Sequence, residues 1–142
     1  MDENKTYIMP LIIQAADDKS WRVRLCLSKN FTEIAENFGK EVADLSLIQV
    51  FGHLLKDVEV DVKIQAVKSL DNFVKIVSPE RMSVLVGHVV QLGKDPLGIV
   101  RCMNFIYILA HTGVVLSAMI KYIPKDQLYQ TVQPLIKDLL KD

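Results

Sequence analysis

The chain has 142 residues, half of them hydrophobic and 24% charged, and its 17 basic and 17 acidic residues cancel to a formal net charge of zero. That balance describes a folded domain with a substantial core, and it excludes a disordered chain. It also lacks the basic excess that draws proteins to nucleic acid or anionic membranes, and no apolar run reaches the roughly 18 residues of a membrane span.

The first ten residues, "MDENKTYIMP", are acidic and polar and make no signal peptide. A first helix is predicted through "PLI" at Pro10–Ile12, where proline removes a backbone hydrogen bond and should bend it. The stretch "DDKSWRVR" then reads as a turn from Asp17 to Trp21 that holds the chain's only tryptophan. Val23, Leu27, Phe31, Ile34 and Phe38 follow at steps of 4, 4, 3 and 4, the spacing of one helix face, and Gly39 is a plausible stop.

The same grammar repeats. Ile48, Phe51 and Leu55 mark another first helix, and Asp57–Asp61 another turn. Val62, Ala66, Leu70, Phe73 and Val77 then repeat the earlier steps in register. Ser78-Pro79-Glu80 reads as a helix start, with a capping hydroxyl, proline at the first position and a carboxylate at the positive end of the helix dipole. Met82, Leu85, Val89 and Leu92 give the next apolar face, and Asp95–Ile99 the third turn. Asn104 stands where Leu27 and Ala66 occupy the core stripe. The interval through "HTGVVLSAMIKYIPKDQ" is longer than its counterparts, so either a longer second helix or a looped insertion is expected over the irregular stretch 112–124. A last stripe, Leu128, Val132, Leu135, Ile136 and Leu139, lies on a helix that Pro134 should bend. It ends at Asp142 with no second helix after it.

The landmark aspartate carries the period. Asp18, Asp57 and Asp95, 39 and 38 residues apart, each precede by five the first residue of Val23-Arg24, Val62-Lys63 and Val100-Arg101. "LLKD" ends at Asp57 and Asp142, "LGKD" at Asp95. Recurrence argues against acid/base catalysis, which needs one site and not three. A structural ladder of Asp18, Arg24, Asp57, Lys63, Asp95 and Arg101 is the better reading, with each aspartate capping its own second helix or meeting a cation of the adjacent unit. Two helices cannot bury two apolar faces alone, so the pairs must stack into a right-handed α-solenoid. Repeats are expected at about 5–39, 43–78 and 79–122, with a half repeat at 124–142. Neither end shows a polar cap, as in a piece excised from a longer array.

The landmark, the proline in the first helix and the period near forty together resemble the HEAT repeat. The run "PLIIQAADDKSWRVRLCLSKNFTEIAENFGKEV" is similar to the middle repeats of the scaffold (A) subunits of protein phosphatase 2A, and "LLKDVEVDVKIQAV" to the repeat after them. The resemblance implies a non-catalytic cytoplasmic scaffold, present also in the nucleus. Its partners would be protein subunits, one regulatory and one catalytic, bound along the turns within repeats. Asp17, Lys19, Ser20, Trp21, Glu59 and Asp61 would then face partners. Another HEAT adaptor, a nuclear transport receptor or a chromosome-organising subunit, is the alternative. Trp21 has two readings: a partner anchor, or a cover over the end of its own repeat. No metal or other cofactor is implied, since His53, His88 and His111 are scattered without an i,i+4 pair. Gly87–Lys94 fails as a phosphate loop, because five residues separate its glycines. Cys26 and Cys102 read as buried free thiols in a reducing cytosol, and no nucleic acid, membrane or small-molecule substrate is expected as a partner of the chain.

Overall fold

The computed structural model describes residues 3–101 and Gln130. Cys102, Asn104, His111, the stretch 112–124, Pro134, the stripe from Leu128 to Leu139 and Asp142 lie outside the described residues. Every described element is helical, and no strand occurs among them.

Helix α1 (Glu3–Ala16) runs through Pro10 and turns Met9, Ile12 and Ala16 inward. A short turn leads to α2 (Trp21–Phe38), which buries Leu27, Ser28, Phe31, Ala35 and Phe38. Val23 departs from its stripe and is 39% exposed, whereas its counterpart Val62 is fully buried.

Gly39 alone connects α2 to the next rod. Its φ of +82° and ψ of 170° lie in a region essentially reserved for glycine, and they let the chain reverse within one residue. The rod is continuous: α3 (Lys40–Val42), a five-residue π-helical segment (Ala43–Leu47), then α4 (Ile48–Leu54). After a second turn, α5 (Val60–Ile76) packs along the length of α2. Val62, Ala66, Leu70, Phe73 and Val77 are all buried. A 3-10 turn (Pro79–Arg81) then opens α6 (Met82–Leu92), which inserts Leu85, Val89 and Leu92 into the same core.

Three phenylalanines knit these helices together. Phe31, Phe51 and Phe73 are each fully buried, with ring centroids 5.0 Å (31–51), 5.2 Å (31–73) and 4.6 Å (51–73) apart. Burying each ring contributes about 1.5–3 kcal/mol, and each ring pair about 0.5–1.5 kcal/mol more.

Two sequence expectations are corrected. The Ser78 hydroxyl does not cap α6; it donates to the Asp44 carboxylate, and Arg81 takes the position before α6 with no side-chain cap. A cap would accept from a helix N–H; the Ser78 hydroxyl instead takes the orientation that lets it donate to a charged acceptor. Cys26 is exposed and not buried. It lies one position off the inward stripe, so apolar sequence neighbours do not carry it inside.

Two glycines make opposite predictions. Gly39→Ala should cost about 1–3 kcal/mol, because the strain is in the backbone and not in crowding. Gly87, exposed in α6 with open space at its Cβ position, should gain roughly 0.5–1 kcal/mol on Gly87→Ala. Urea unfolding of the two variants measures both signs.

Candidate functional site

The turns α1–α2, α4–α5 and the one after α6 share a local design. In each, the landmark aspartate accepts the backbone N–H two residues on: Ser20 to Asp18 at 2.8 Å, Glu59 to Asp57 and Leu97 to Asp95 at 2.9 Å. Such Asx turns satisfy a donor before the helix begins. The aspartates therefore do not cap the first turns of their own second helices. Their remaining oxygen capacity goes elsewhere.

It goes to the preceding helix pair. Arg24 of α2 donates twice to Asp57, Nε to Oδ2 at 2.6 Å and Nη2 to Oδ1 at 3.0 Å, while its Nη1 donates to the Asp18 carbonyl at 2.6 Å. One guanidinium thus holds its own turn and the next one. Lys63 of α5 donates to Asp95 at 2.6 Å, reproducing the step one unit later with a single donor. Arg101 returns to its own turn, donating to the Asp95 and Pro96 carbonyls at 2.7 and 3.1 Å. Asp18 meets no cation of an adjacent unit among the described residues.

Electrostatics follow the geometry. Burial pushes the Asp57 carboxyl up, since its side chain is 3% exposed. The Arg24 hydrogen bond, the Glu59 amide and the charges of Arg24 and His53 outweigh burial, and the net shift is downward. Asp95 behaves likewise, with burial opposed by Lys63, the Leu97 amide and Arg101. Donating to the Asp57 carboxylate holds Arg24 above its ordinary value. These are structural ions already satisfied by one another. His88, whose pKa burial and then Lys56 push down, packs on α4 where a Cβ at Gly52 would overlap its ring.

Because the ion pairs link turn to turn, the three turns stand side by side as a ridge. Asp17, Lys19, Ser20, Glu59 and Asp61 are exposed on it. The Asp17 carboxylate lies 3.0 Å from Nε2 of His53 in α4, beside a shallow groove between α1 and the second rod. Trp21 is the first residue of α2 and not part of the turn proper. It is half-buried, with the Arg22 guanidinium 4.8 Å from its ring centroid. The ridge also carries apolar side chains that charge and motif reading passed over. Val58 is 86% exposed, with Leu97 and Ile99 in the third turn. The available signal was an apolar residue directly after a landmark aspartate, where Lys19 and Pro96 stand in the other turns.

Residues 8–38, which span most of α1, the first turn and all of α2, match the family model of the HEAT repeat. The match supports a HEAT-repeat protein. The all-helical fold is consistent with a HEAT-type array, and HEAT repeats suggest a protein-interaction scaffold in general. The chain matches no curated protein. Among the described residues no group of His, Cys, Asp and Glu could hold a metal ion, and no helix is long and apolar enough to cross a membrane.

The ladder makes a stability prediction. Asp57→Ala leaves the part-buried Arg24 without its bidentate partner and should cost about 1–3 kcal/mol, since Arg24 keeps the Asp18 carbonyl. With folded-state pKa values below the unfolded carboxylate value, Asp57 and Asp95 contribute their full stability above about pH 5 and lose it as pH falls through the folded values. Denaturant midpoints measured from pH 7 to pH 3 should fall less steeply for Asp57→Asn with Asp95→Asn than for the parent chain.

Proposed function

We propose that this chain is a non-catalytic scaffold of a protein phosphatase 2A-type complex, a right-handed HEAT array that binds a regulatory and a catalytic subunit along its ridge of turns. The repeat limits are 5–39, 43–78 and 79–122, with a half repeat at 124–142, and the compartments are the cytoplasm and the nucleus. The single observation that carries the reading is the ridge itself. Arg24–Asp57 and Lys63–Asp95 hold the turns in fixed register while Val58, Leu97, Ile99 and part of Trp21 stay open to solvent. Apolar side chains on a stiff, charged edge suit protein partners better than solvent, because burying them needs no reordering of the backbone. Support for the phosphatase assignment comes from the resemblance of the Pro10–Val42 run to the scaffold subunits. Support for the general role comes from the HEAT match.

Pull-down with the chain should recover a phosphatase regulatory or catalytic subunit. Recovery of transport cargo or chromosomal proteins instead would overturn the phosphatase assignment and leave the adaptor alternative. Trp21→Ala and Val58→Asp should each weaken the captured complex by roughly tenfold or more, equivalent to about 1–3 kcal/mol of lost burial. Both should leave the melting temperature nearly unchanged. A large fall in melting temperature for Trp21→Ala with affinity intact would identify Trp21 as a cover for its own repeat.

A further inference from the structure

At the opposite edge from the ridge, where one helix pair hands over to the next, a second polar link differs in kind from the ladder. Asp44, in the π-helical segment, accepts the Ser78 backbone N–H at 2.7 Å with one oxygen and the Ser78 hydroxyl with the other. The link joins the second pair to the start of the third. Ser78 is half-buried and belongs to no helix, since Val77 before it is extended (φ −72°, ψ 144°) and Pro79 begins the 3-10 turn. It is also the one serine or threonine in the whole sequence that precedes a proline.

We propose that Ser78 is a phosphorylation site for a proline-directed protein kinase, and that its phosphate opens the Asp44 link and so loosens the junction between the second and third helix pairs. Proline after the acceptor has no N–H to satisfy and biases the preceding residue toward extended backbone, so the dipeptide is distinguishable to a kinase cleft by its chemistry. In the reaction, the Ser78 Oγ bonds to the γ-phosphorus of a nucleoside triphosphate brought by the kinase. The bond to the β–γ bridging oxygen breaks, the diphosphate leaves, and the hydroxyl proton passes to the kinase's base.

The product cannot keep the link. A hydroxyl that donates to a carboxylate becomes a phosphate with only acceptor oxygens and a charge near −2, directly against an anion. Arg81 lies one turn further on, exposed, with its amide already on the Ser78 carbonyl at 3.0 Å. It supplies the countercharge that draws the phosphate away from Asp44 toward the start of α6. Contact between the pairs through the core survives, but the hydrogen bonds that set their relation at this edge are lost. The angle between neighbouring units, on which the curvature of any repeat array depends, is then released.

The test incubates the whole chain with a proline-directed serine/threonine kinase and Mg–ATP, maps phosphate by mass spectrometry and follows amide hydrogen exchange. One phosphoryl group should appear on Ser78 and be absent from Ser78→Ala. The phosphorylated chain should exchange the Ser78 amide and those of the 3-10 turn at least about tenfold faster, the cost of a lost hydrogen bond to a charged acceptor. In Asp44→Asn, which removes the repulsion, phosphorylation should change exchange much less. Absence of phosphate on Ser78 would overturn the proposal. So would unchanged exchange after modification, or equal acceleration in the Asp44→Asn chain.

Discussion

Phe31, Phe51 and Phe73 meet in one fully buried cluster, and the arrangement of the helices depends on that meeting. A single pair of helices has no interior. Each ring comes from a different helix, α2, α4 and α5, so none can be buried until two pairs have stacked. The apolar stripe of α2 would be half wetted without α5, which is why those two helices pack along their length. Cooperativity between neighbouring units follows directly, and it is the property that lets a repeat array behave as one folded body.

Apolar contact sets how close the pairs come but not their register, because dispersion and burial are non-directional. Register is the work of the polar edges. On one edge Arg24–Asp57 and Lys63–Asp95 tie each second helix to the following turn, and on the other Asp44 ties the second rod to Ser78. A bidentate guanidinium admits little angular freedom, whereas an ammonium tolerates more. The first junction is accordingly held more tightly than the second. The same ions leave the turn tips clear, so a rigid base supports an open apolar ridge.

Much of this was legible in the residues. The steps between Leu27, Phe31 and Phe38, and between Val62 and Val77, specify helix faces because 3.6 residues per turn leave no other periodicity that fits. The landmark aspartates declared the unit length by recurrence alone. Of the recurring charges, Arg24, Asp57, Lys63 and Asp95 link successive units, whereas Asp18 and Arg101 bond only within their own turns among the described residues. Local composition misled where burial depends on a neighbour far along the chain. Val23 belongs to a buried stripe by spacing yet is exposed, and Cys26 sits among apolar residues yet faces solvent. Ser78 has the grammar of a helix cap, but its hydroxyl is oriented to donate to a carboxylate 34 residues earlier.

The sequence by itself therefore determined the helix faces and the spacing of the landmark residues, because those depend on interactions within a few residues. It also named the charges that recur with that period. Only the tertiary structure decided which aspartate each cation would reach, that Gly39 alone would turn the chain, and that Val58 would stand clear at the ridge while Trp21 was half covered. Those outcomes depend on the angle and offset at which one helix pair meets the next. That geometry is set by packing together with the polar links at the edges, between residues distant in sequence, and no local pattern encodes it.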